Sequence, residues 1–209
     1  MKQAAIAGLA AGAAMMIGGA LAAVSDRGLS DSKSLTDSKP LADNSAEIMN
    51  PMIGGQAMLP DRDIMDNVNA SPLHSTFASA LKDTGVFTAL KTNGQFTVFA
   101  PTNAAFAASG PQPKSSLARR MSYLIVPGRY DSQALLKLIN EAGGTAKLRT
   151  AEGGVLIARM NGPTNIMVMD ERGNIANIAI YDVRDKNGIV HVVDHTLEPG
   201  GLSRQVAAN

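Results

Sequence analysis

From Thr145 onward glycine punctuates the chain at short, regular intervals, and this spacing constrains the fold more than any other feature of the sequence. Strand-like runs over 145–150, 155–160, 165–169, 175–183 and 189–194, most of them rich in Val, Ile or Met, are separated by Glu152-Gly153-Gly154, Asn161-Gly162, Arg172-Gly173-Asn174 and Asn187-Gly188. β-Branched residues suit strands, and Asn-Gly and related pairs accept the positive φ of tight turns, so the spacing predicts a series of hairpins. Asn187-Gly188 is the expected last turn, and 189–193 the central strand that follows it.

The preceding eighty residues carry helical spacing instead. Ser71-Pro72-Leu73 reads as a capped helix start, with Leu73, Phe77, Ala80 and Leu81 on one face and Gly85 as its stop. His74 lies beside that stripe and is expected in solvent. Val86, Phe87 and Leu90 suggest a short second helix. Residues 95–100 form a strand that Pro101 ends, and Thr102 or Asn103 then caps a short helix through Phe106. Leu117, Met121, Leu124 and Ile125 share one side of a further helix closed by Pro127-Gly128. Asp131 caps another, carrying Leu135, Leu136, Leu138 and Ile139 up to Gly143-Gly144. Helices first and hairpins second predict an α+β domain with a mainly antiparallel sheet.

Composition narrows the function. In 209 residues, 19 Lys+Arg against 18 Asp+Glu give a formal charge of +1, so no overall field selects nucleic acid or a cationic partner. The absence of Cys removes disulfides, thiolate metal sites and cysteine nucleophiles, and 4% aromatic residues without Trp provide no stacking platform. One Lys followed by an Ala/Gly-rich apolar run over 4–24, ending in Ala20-Leu21-Ala22, has the profile of an export signal over 1–23 cut near Ala22 or Ala23. About 20 apolar residues also suffice to span a bilayer, so an uncleaved anchor is the other reading. Residues 24–59, rich in Ser, Asp, Lys and Gly, are expected to be a flexible tether. The domain then occupies 60–199, with a tail over 200–209.

Three stretches carry a family pattern: Phe96-Thr97-Val98-Phe99-Ala100-Pro101-Thr102-Asn103-Ala104-Ala105-Phe106, then Tyr123-Leu124-Ile125-Val126-Pro127-Gly128-Arg129-Tyr130, then Asn187-Gly188-Ile189-Val190-His191-Val192-Val193-Asp194. In this order and spacing they resemble the fasciclin-like domain, small secreted bacterial type. The resemblance implies a β-sheet wedge with a helical cluster packed against it and a non-enzymatic adhesion role outside the cytoplasm, secreted, periplasmic or at the cell surface. It implies no cofactor, and as partners a cell-surface or matrix protein or a polysaccharide. In animal relatives integrin recognition is linked to a Tyr-His pair and to a short Asp-centred segment, which point here to Tyr123 and Asp182. This chain departs from the pattern in having Leu124 after Tyr123, and Ile180, Tyr181 and Arg184 around Asp182. Arg119, Arg120 and Arg129 beside Tyr123 make a candidate basic patch for an acidic polysaccharide, or a solvated helix face. Phe99, Pro101, Thr102, Asn103, Phe106, Asn187, Gly188, His191 and Asp194 read as architecture.

His191-Val192-Val193-Asp194-His195 has zinc-like spacing for a helix, but on a strand His191 and His195 stand about 13 Å apart, so His191 is expected to bond backbone and Asp194 a nearby N–H. No G-x-S-x-G elbow and no phosphate-binding glycine loop occurs. An acid–base enzyme built on His191 and Asp194 lacks a nucleophile, whereas a small apolar or carbohydrate ligand held between helices and sheet is the alternative to adhesion.

Overall fold

The computed structural model describes residues 50–200 apart from 92–93 and 111–112, all within one compact unit, Glu47–Asn209. The expected export segment, residues 24–49 of the tether and 201–209 of the tail lie outside the described residues.

The domain is α+β. A small hairpin, β1 (Met52–Ile53) and β2 (Gln56–Ala57), turns through Gly54-Gly55. The tether therefore does not extend to residue 59. Ile53 and Met58 are buried in the core, and the Asn50 side chain both accepts from the Arg184 N–H and donates to the Arg184 carbonyl. Two apolar anchors in a polar stretch were enough to fold it onto the domain.

Five helices follow in the first half: α1 (Ile64–Ala70), α2 (Ser75–Asp83), α3 (Phe87–Leu90), α4 (Asn103–Ala108) and α5 (Lys114–Tyr123). The single helix expected from Ser71 begins instead as a 3₁₀ turn, Pro72–His74, and Ser71 does not cap it. The Ser71 hydroxyl bonds His74 Nδ1 at 2.9 Å, and both residues are buried. His74 is thus inside rather than in solvent, because the tighter 3₁₀ winding turns it away from the position an α-helix would give it. Thr102 caps α4 through the Ala105 N–H, as expected.

The helix expected to reach Ile125 stops at Tyr123, and β4 (Ile125–Pro127) pairs antiparallel with β3 (Phe96–Pro101). Leu124 and Ile125 satisfy a helical stripe and a buried strand equally well, and pairing with Thr97 and Val98 decides between them. Asp131 caps α6 (Ser132–Glu141) through the Ala134 N–H.

The hairpin series appears as predicted: β5 (Thr145–Arg149), β6 (Val155–Asn161), β7 (Asn165–Met169), β8 (Ile175–Asp185) and β9 (Gly188–Val193). Together with β3 and β4 they form one seven-stranded sheet in the order β4-β3-β9-β8-β7-β6-β5, antiparallel except for β3 with β9. The last turn is made by Lys186 and Asn187, with Gly188 opening β9 opposite Asp185. Asn187 does not take the positive φ expected of it; Asp182, at φ 58, is the non-glycine residue that does. Val98, Phe99 and Ala100 of β3 and Ile189 to Val193 of β9 are buried on both faces, so this parallel pair forms the middle of the core.

Candidate functional site

The residues expected to form a binding face occupy two separate structural knots. At the C-terminal end of α5, Tyr123 is fully buried. Its hydroxyl donates to the Val155 carbonyl at 2.7 Å and accepts the Glu171 N–H at 3.3 Å, and burial pushes its ionisation well above the ordinary tyrosine range. Arg119 donates to Glu152 and to the Gly200 carbonyl. Arg120 is 3% exposed, with Glu198 at 3.3 Å, and Glu198 also pairs with Arg172 at 2.6 Å. Burial lowers the Arg120 pKa, against the raising effect of Glu198. Arg120 is therefore buried rather than on a basic patch or a solvated helix face, whereas Arg119 is partly solvated and paired with Glu152. Arg129 lies elsewhere, donating to Gln95 Oε1 and the Asp185 carbonyl.

The second knot joins the middle and last motifs. His191 Nε2 donates to the Tyr130 carbonyl at 2.8 Å, while Nδ1 accepts the Asp182 N–H at 3.3 Å. This fixes a neutral tautomer, and burial holds the ring's pKa below the ordinary histidine value. Phe99 and Tyr181 flank it, with centroids at 5.6 and 6.1 Å. The Asp182 carboxylate accepts the backbone N–H and the hydroxyl of Ser132 at the start of α6, which steadies its left-handed backbone. Both nitrogens of His191 are occupied by backbone, in the structural role expected of it.

The remaining motif residues act as braces. Asn187 accepts the Ile64 N–H and donates to the Leu90 carbonyl, tying α1 and α3 to the sheet. Asn103 accepts the Thr76 N–H and donates to the Pro72 carbonyl, so it holds the start of α2 rather than capping α4. Phe106 packs against Phe77 at 6.3 Å. Burial would raise the Asp194 pKa, but hydrogen bonds from Asn177 and His195 hold it below the usual carboxylate range. Among the described residues no three His, Asp or Glu side chains converge to hold a metal ion.

Two further buried titratable groups are His74, expected in solvent, and Asp185, which the sequence did not single out. Burial lowers His74 to about 4, with a hydrogen bond to the Ala100 backbone acting against it. Burial raises Asp185 to about 7, against the Asn67 hydrogen bond and the charge of Arg129. Also passed over were Lys147, Arg149 and Arg159 on β5 and β6. Their alternation with Ala146, Leu148 and Ala158, which face the core, was the readable signal. A depression of about 440 Å³ lies between α4 and the segments after β7 and β9, where Arg172, Asn174, His195 and Glu198 meet Ala105 and Ala108.

Residues 72–199 match the Fasciclin domain, with the motif residues of both knots inside the match. The chain belongs to the fasciclin family. Among curated proteins its fasciclin domain is similar to Synechocystis sp. protein sll1483, 30% identical over 136 residues that make up 60% of this chain and 67% of that one. It is also similar to human periostin, 28% identical over 68% of this chain but only 16% of periostin. The pig transforming growth factor-beta-induced protein ig-h3 matches at 24% identity over 67% of this chain and 20% of that protein. Among solved structures a FAS1 domain pair from the insect cell adhesion molecule fasciclin I shares the fold, with a TM-score of 0.50 at 21% identity over 60% of this chain and 45% of that one.

Proposed function

We propose that this protein is an exported, non-enzymatic adhesion module that acts by presenting a folded surface to a cell-surface, matrix or polysaccharide partner. The observation that carries this reading is that His191, the side chain best suited to acid–base chemistry in the family motifs, spends both ring nitrogens on backbone groups. Asp182 and Asp194 are likewise engaged by Ser132 and by Asn177 and His195. Family membership and the fold shared with an insect cell adhesion molecule support it. The apolar run before Ser25 supports export, and with it a working position in the periplasm, on the cell surface or in the medium. Neither a cofactor nor a nucleic acid is part of this function.

The test is binding of the purified mature protein, beginning near Ser25, to its own cells, to isolated envelope polysaccharide and to immobilised matrix proteins. Saturable binding to one of these is expected, and uniform absence of binding overturns the reading. The depression of about 440 Å³ beside α4 favours a second reading, capture of a small carbohydrate or apolar ligand. A thermal-shift screen without a hit removes that alternative.

A further inference from the structure

Strands β5, β6 and β7 send Ala146, Leu148, Leu156, Ala158, Ile166 and Val168 into the core, so their other side chains form the opposite face. The pairing register fixes that face as a lattice. Lys147 stands opposite Ile157, Ile157 opposite Met169, and Met169 opposite Ile175 of β8. In the next row Thr145 stands opposite Arg159, and Arg159 opposite Met167. Arg149 and Lys147 are two residues apart on one strand, about 7 Å, and Arg159 lies diagonally across from Lys147 at roughly 7 to 8 Å. The three cations therefore follow one line.

Nothing on these strands neutralises that line. β5, β6 and β7 contain no Asp or Glu, and among the described residues none of the three cations makes an ion pair. The setting contrasts with α5, where Arg119 and Arg120 each face a glutamate. Lys147 and Arg149 are exposed. The apolar part of the face is largely covered: Met167, in the row of Thr145 and Arg159, is 7% exposed, and Val155, Ile157 and Met169 are only partly accessible. A face with little free apolar area and a line of unpaired cations gains its binding energy from charge, and it fits an extended polyanion better than a globular protein, whose interface core needs apolar area. No aromatic side chain lies on these three strands to stack a base, which disfavours nucleic acid.

We propose that the outward face of β5–β7 binds an acidic polysaccharide, its carboxylate or sulfate groups meeting Arg149, Lys147 and Arg159 in turn. This deepens the adhesion reading and rests on it. The test uses the purified mature chain with polygalacturonate and dextran sulfate as polyanions and neutral dextran as the control, measured by affinity electrophoresis and calorimetry. Retardation by both polyanions and none by dextran is expected, with affinity falling roughly tenfold between 50 and 200 mM NaCl, as a few charge contacts require. Lys147→Glu/Arg149→Glu is expected to weaken binding at least tenfold with an unchanged melting temperature, and Arg159→Gln to weaken it severalfold. Lys137→Glu, on the solvent side of α6 and outside the line, is expected to leave binding unchanged. Equal binding by the double variant, equal binding to dextran, or tighter binding to phosphatidylglycerol vesicles or single-stranded DNA than to polygalacturonate overturns the proposal. If the wild type binds its own cells saturably but neither polyanion, the proposal falls and the adhesion reading stands. If it binds nothing, both fall.

Discussion

In the β4–β3–β9 half of the sheet, polar side chains are consumed by named partners. His191 is held between Tyr130 and Asp182, Asn187 between Ile64 and Leu90, and Asn103 between Thr76 and Pro72. In the β5–β7 meander, Lys147 and Arg149 reach solvent with no acid on their own or neighbouring strands. The half that carries all three family motifs is thus the half with the least chemistry to spare. Motif residues here specify how the chain closes on itself, and the side chains free to meet a partner lie where no motif marks them.

The largest expected effect tests how tightly the motif half is closed. A Cβ on Gly188 would lie 1.9 Å from the Phe96 carbonyl oxygen and 2.9 Å from Ile64 Cδ1, so β3, β9 and α1 would all have to shift. Gly188→Ala is expected to cost more than about 4 kcal/mol and to yield little folded protein. In the meander, Gly162 turns at φ 81 with open space around it, and Gly162→Ala is expected to cost only about 1 to 2 kcal/mol, the strain of a left-handed alanine. Urea midpoints of the two variants check the contrast, and equal midpoints would break it.

The next effect is a pH dependence confined to the motif half. His74 is held near 4 against an ordinary 6.5, so the folded state carries fewer protons there, and this contribution is complete above pH 6.5 and lost as pH falls towards 4. Asp185 is raised to about 7 from 3.8, so the folded state carries more protons, and its burial costs stability increasingly as pH climbs from about 4 to 7. Between pH 4 and 6.5 the two slopes oppose each other. Asp185→Asn keeps an oxygen to accept from Asn67 and removes one slope. Its stability is expected to rise steeply between pH 4 and 6.5 and to exceed the wild type by a few kcal/mol at pH 8, as read by urea denaturation at each pH. A variant that tracks the wild type at both ends would show that Asp185 is solvated.

A smaller effect belongs to α4. Thr102→Ala removes the acceptor for the Ala105 N–H and is expected to cost about 1 kcal/mol, with Thr102→Ser restoring most of it in thermal melts.

Legibility followed the same division. The five hairpin strands, the Thr102 and Asp131 caps and the structural roles of His191 and Asp194 were readable, because period-2 alternation, turn residues and capping chemistry are local. Helix α1 has no counterpart in the sequence reading, and Ile125 fits a helical stripe as well as a strand, with only pairing to β3 separating the two. His74 was placed in solvent because the 3₁₀ turn that buries it follows from contacts distant in sequence. Tyr123, Arg120 and Asp182 drew attention as binding candidates, yet their partners Val155, Glu198 and Ser132 lie 32, 78 and 50 positions away, beyond any local pattern. Lys147, Arg149 and Arg159 were legible in spacing, but the absence of acids opposite them depends on the strand register.

The smallest expected effect is the one that bears most on the comparison. Charge reversal at Lys147 and Arg149 removes no hydrogen bond and no ion pair among the described residues, so the double variant is expected to lie within about 0.5 kcal/mol of wild type in urea. Arg119→Ala breaks the contacts with Glu152 and the Gly200 carbonyl, and it is expected to cost up to about 1 kcal/mol, since Arg119 remains partly solvated. An arginine bound on both sides and two cations bound on neither thus differ little in stability. They should differ in salt response, with the Arg119 contribution shrinking as NaCl screens its pair and the double variant tracking wild type throughout. A large loss of stability in the double variant would mean that the meander cations are braces after all, and the division between a closed half and an open face would not hold.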